Sequence, residues 1–124
     1  MVNVCVVRGV LSRAPEVREL RSGGLVVEYD VTVPGGADVG RPTETVPVCW
    51  FDPPEAAMRL EDGDAVVVVG RVRRRFYKGA SGTMSRTEVL ADRVFGPRQR
   101  KPAEKAVLDA LAGAEEAFLA GSAA

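Results

Sequence analysis

Arg71, Arg73 and Arg75 recur at every second position, and Tyr77 continues the series. On an extended strand that period puts all four side chains on one face, with neighbours about 7 Å apart. This step is close to the phosphate spacing of an extended single strand of nucleic acid. A guanidinium pairs bidentately with phosphate and stacks on flat rings. An aromatic ring gives a base a surface to stack on, worth about 1–3 kcal/mol per base. The pattern therefore suits a polyanion whose bases are unpaired, with Lys78 extending the basic run. A solvated strand face is the competing reading. Against it, like charges on one face repel, which makes arginine a costly choice for solubility alone.

Other chemistries are poorly supplied. The chain has no histidine, which removes the Ser-His-Asp and Cys-His nucleophile schemes and most zinc sites. Cys5 and Cys49 are too few for a structural zinc site and read as reduced thiols in strands. Glu61, Asp62 and Asp64 surround Gly63 and read as a turn rather than a metal site. Lys78-Gly79-Ala80-Ser81-Gly82 lacks the spacing and following helix of a phosphate loop, and reads as a hairpin tip. No enzyme activity, cofactor or metal is expected.

The elements that must hold the ladder are β-strands. Val-rich segments at 2–11, 25–33, 43–51, 65–76 and 87–95 are separated by Gly and Pro turn signals. In the second, Val27, Tyr29, Val31 and Val33 alternate with Glu28, Asp30 and Thr32, the period of a half-buried strand. Pro34-Gly35-Gly36 closes it and opens a loop to Pro42. In the third, Val46, Val48 and Trp50 share the core face, which leaves Phe51 on the ladder side. In the fourth, Val66, Val68, Gly70 and Val72 face the core, and Val67 and Val69 precede the ladder on the outside. Pro53 and Pro54 open a short helical stretch through Leu60. Five strands with a short helix between the third and fourth give an all-β barrel of the OB-fold order.

Length and charge fit one domain. The chain has 124 residues, 46% hydrophobic and 27% charged, enough for a single core. Seventeen basic residues balance seventeen acidic ones, so any nucleic-acid signal is local. The longest apolar run, Ala65 to Val69, is far too short to span a bilayer, and no signal peptide opens the chain, so the cytoplasm is the expected compartment. After Phe95-Gly96-Pro97 the composition shifts to a basic linker, 98–102, and an alanine-rich helix, 103–120. Its stripe of Val107, Leu111, Ala114 and Phe118, with Leu108 and Leu119 beside it, needs a partner surface. The expected units are thus a barrel at 1–97 and a linker and helix at 98–124.

Asn3 with Gly9-Val10-Leu11, Pro15-Glu16-Val17-Arg18, Ser22-Gly23-Gly24, Thr43-Glu44, Gly70 to Arg75, and Thr87-Glu88-Val89 follow in this order. Together they resemble the bacterial single-stranded DNA-binding protein family over residues 3–95. The resemblance implies an OB barrel, a homotetramer more than a dimer, and DNA wrapped over aromatic and basic faces. Tyr77 stands where the family has a stacking tryptophan, Phe51 matches a stacking phenylalanine, and Arg73 and Arg75 match basic positions. Thr45 replaces a second stacking tryptophan, and the loop at 34–42 is short and holds no aromatic. The final residues lack the acidic Pro-Phe tip that recruits repair proteins in the family, so that recruitment is not expected. The candidate binding residues are Phe51, Arg71, Arg73, Arg75, Tyr77 and Lys78. The rival is an OB-fold protein-interaction module resembling primosomal replication protein N, favoured by the missing aromatics and zero net charge. Exposed Val67 and Val69 supply the apolar surface for the expected oligomer.

Overall fold

The computed structural model describes residues 2–34 and 43–122. The strands are β1 (Cys5–Leu11), β2 (Glu16–Glu19), β3 (Leu25–Val33), β4 (Glu44–Phe51), β5 (Ala65–Gly79) and β6 (Gly82–Phe95). A 3-10 turn at Glu55–Arg59 links β4 to β5, and helix α1 (Arg100–Ser122) follows β6. The sheet runs β1-β5-β6-β4-β3, and β1 closes the ring by pairing again with β3. All contacts in the ring are antiparallel except β4 with β6. The five-stranded OB-type barrel, its short helical turn and the C-terminal helix therefore stand as expected. The expected loop at 34–42 lies, beyond Pro34, outside the described residues.

Alternation builds the interior. Val27, Tyr29 and Val31 of β3 meet Val48 and Trp50 of β4, Val66 and Val68 of β5, and Val89 and Val94 of β6. Trp50 is core, as its valine neighbours imply. Tyr29 donates its buried hydroxyl to the Ala57 carbonyl at 3.0 Å, which seats the 3-10 turn on the barrel. The acidic stretch after it is a turn: Gly63 takes φ 92°, and the Asp64 carboxylate accepts the Glu61 N–H at 2.8 Å.

Four details depart from the expected strands. The first strand begins at Cys5, not Val2. The Asn3 side chain donates to the Val72 carbonyl at 2.7 Å and accepts the Val72 N–H at 3.0 Å. A side-chain amide thus replaces the backbone pairing that a longer β1 would make. The charged segment Glu16–Glu19 is a strand because β3 offers it an edge, with Arg18 ion-paired to Glu28. The β5–β6 hairpin runs to Gly79 and Gly82, well past its last apolar alternation. Val72 has left the barrel by then and is exposed rather than core.

A bulge sets the hairpin's angle. Val69 pairs with Arg93 but Gly70 pairs with Ala91, so Asp92 is an extra residue on β6. A β-carbon on Gly70 would lie 2.0 Å from the Leu90 carbonyl oxygen, which is backbone and cannot swing away. Gly70→Ala is expected to cost about 1–3 kcal/mol, the usual range for overpacking. A lower urea midpoint at an unchanged m-value checks it.

Helix α1 changes the reading of the outer face. Val69, only 7% exposed, packs with Phe95 and Ala103, and Val67, Ala106, Val107 and Ala110 join them. Val69 is therefore covered by the chain's own helix, and Val67 is partly covered by it. The helix begins at Arg100, inside the expected linker, with Pro102 tolerated in its first turn. Gln99 accepts the Gly96 N–H through its side chain at 3.0 Å, and its carbonyl accepts the Ala103 N–H. Small residues face the barrel because they permit close approach. Leu108, Leu111 and Phe118, expected on or beside the buried stripe, are exposed.

Candidate nucleic-acid interface

The ladder forms on the outer face of the hairpin. Arg73 pairs across to Glu88, Arg75 to Arg86 and Tyr77 to Met84, which puts all six on one side. Arg71, opposite Leu90, begins the same row and is exposed. Phe51 ends β4 on this side. Asp52 follows it in the left-handed region at φ 49°, which Asp tolerates, and turns the chain away. The guanidinium of Arg73 lies 5.5 Å from the Phe51 ring centre, and that of Arg75 5.6 Å from the Tyr77 ring centre. Phe51 and Tyr77 are 41% and 42% exposed, so each ring still offers surface. Lys78 points to the opposite side of the hairpin, because strand alternation separates it from Tyr77.

Beneath the ladder lies a group that the sequence analysis did not single out as a site residue. Glu88 is 1% exposed. Its Oε1 accepts from Arg73 Nε at 3.1 Å and from Arg75 Nε at 2.8 Å. Its Oε2 accepts the Cys49 thiol at 2.9 Å and lies 3.7 Å from Arg86 Nε. Three guanidiniums share one carboxylate, which leaves two positive charges uncompensated. Burial pushes the Glu88 carboxyl up, but the Cys49 thiol, Arg73 and Arg75 outweigh it and hold it below the ordinary range. Burial first, and then Glu88, push the Cys49 thiol up to about 12. Cys49 is thus a neutral hydrogen-bond donor, as expected of a buried reduced cysteine, and half-buried Cys5 is likewise raised by burial.

Neighbouring acids are also compensated. On the outer face of β3, Glu28 pairs with Arg18, and Asp30 accepts from Arg13 Nε at 2.6 Å. Thr45, at the position of the missing tryptophan, shares a hydroxyl contact with Thr32 at 3.3 Å. The face can therefore hold an anionic backbone against arginine and flat bases against Phe51 and Tyr77. No group of three or more potential metal ligands exists among the described residues.

A closed five-stranded barrel with a short helical turn between β4 and β5 is of the OB type. The chain belongs to the single-strand binding protein family, whose profile matches residues 2–95. No individual curated protein matches it significantly. No helix among the described residues is long and apolar enough to cross a membrane.

Proposed function

We propose that this chain binds single-stranded DNA without sequence preference and without catalysis, over the outer face of β4, β5 and β6. One observation carries the reading: two aromatic rings, Phe51 and Tyr77, each have an arginine over them on one continuous face. Phosphates are held by Arg71, Arg73 and Arg75, and bases stack on the rings. Lys78 serves from the other side of the hairpin. Family membership supports single-stranded DNA as the ligand. Replication, repair or recombination in the cytoplasm, near the nucleoid, is the setting this implies. A homo-oligomer, tetramer before dimer, is part of the same proposal. Residues 1–97 form the binding module and 98–124 its appendage.

The single negative charge of Glu88, set against Arg73, Arg75 and Arg86, mutes the ladder and favours a second reading, an interaction module with little DNA affinity. Titration of labelled oligo-dT at several salt concentrations separates the two. Two or three neutralised phosphates per protomer give a log–log slope of roughly −1.5 to −2. Duplex DNA binds much more weakly, because its bases are already stacked. Absence of oligo-dT binding at low salt, or equal affinity for duplex, refutes the first reading.

A further inference from the structure

The β5–β6 hairpin has a second side. Arg74, Phe76 and Lys78 alternate with the ladder residues, and Thr87, Ser85 and Thr83 stand opposite them on β6. Phe76 is 66% exposed, more than any other aromatic of the hairpin. Arg74 lies 5.3 Å from its ring centre and donates to the Ser85 hydroxyl at 3.0 Å. Glu88 faces the other side, and neither Arg74 nor Lys78 forms an ion pair among the described residues. The order cation, aromatic, cation at strand spacing thus occurs here without a carboxylate to offset it.

We propose that this opposite side, Arg74, Phe76 and Lys78 with the hydroxyls of Thr83 and Ser85, is a second contact strip for the same single-stranded nucleic acid. The inference rests on the single-strand reading above and extends its footprint. The pairing of β5 with β1 ends at Gly70, and beyond it the β5 edge is bridged by Asn3 at Val72. A strand leaving Tyr77 passes round this edge and reaches Phe76, the adjacent residue. Phosphates then meet Arg74 and Lys78, a base covers Phe76, and the hydroxyls supply neutral hydrogen bonds to phosphate. A second copy of the same strip is a poor occupant, because a two-fold contact about Phe76 would set each Arg74 against the other copy's Lys78.

The test uses the full chain, with oligonucleotides carrying 5-iodouracil for photo-crosslinking and unmodified oligo-dT for affinity. Adducts are expected on Phe76 as well as Tyr77. The double variant Arg74→Ala/Phe76→Ala should bind an oligomer of about 20 nucleotides roughly ten-fold more weakly, but one of about 5 nucleotides like the parent. Adducts confined to Tyr77 and Phe51, with long-oligomer affinity unchanged, overturn the second strip and leave the first face standing. A variant whose light scattering shows a smaller assembly overturns it in favour of a protein interface. No adduct and no binding by the parent overturns both readings together.

Discussion

Exchange of Glu88 for glutamine is expected to lower stability by about 2–4 kcal/mol and to steepen the salt dependence of oligo-dT binding. Breaking a fully buried ion pair costs about 3–5 kcal/mol, because the remaining charge is stranded. Here the stranded groups are Arg73 and Arg75, whose side chains are 34% and 40% exposed and can turn partly to water. The cost is correspondingly smaller. Removal of the shared carboxylate also frees one more positive charge for phosphate, which steepens the log–log slope by about 0.7. Acid separates the electrostatic part. The Glu88 carboxyl is held low in the fold, so its stabilisation is present above the ordinary carboxylate pKa of about 4.3 and is lost as pH falls through the folded value. The stability gap between parent and Glu88→Gln should therefore narrow below that pH. Urea midpoints across the acid range and a salt titration read both effects. An unchanged slope overturns the picture of a ladder muted from beneath.

The alternation of β3, β4 and β5 was legible because period two survives without any knowledge of partners. It put Phe51 on the same side as Arg73, and the two are in contact. Glu88 was visible only as part of a motif. Its place under Arg73 and Arg75 depends on the register set at Gly79 and Gly82, in a polar stretch with no apolar pattern to fix it. β2 was missed for a related reason, since its four residues are all exposed and hold their place by pairing with β3. The helix misled through side-chain size. Leu111 and Phe118 dominate any apolar stripe, yet close approach to a flat sheet favours Ala103, Ala106 and Ala110. That same approach covers Val69 and partly covers Val67, which the strand pattern alone leaves facing water.

Replacement of Tyr77 by alanine is expected to weaken oligo-dT binding by about 1–3 kcal/mol, with the salt slope unchanged. The ring carries no charge, so its loss releases no counterion difference, only the stacking surface. Exposure of 42% means that little packing is lost, and stability should stay within about 0.5 kcal/mol of the parent. Tyr77→Trp, with a larger flat surface, should retain or strengthen binding. Arg73→Ala behaves differently. It removes a cation that Glu88 already shares with Arg75 and Arg86, so the slope flattens by less than the full 0.7 or so of an isolated phosphate contact. It also uncovers the Phe51 ring, on which Arg73 rests. Fluorescence titrations of the three variants at several salt concentrations distinguish stacking from charge, because only stacking shifts the curves in parallel. If Tyr77→Ala and Arg73→Ala both bind as the parent does, the nucleic acid does not cross this face.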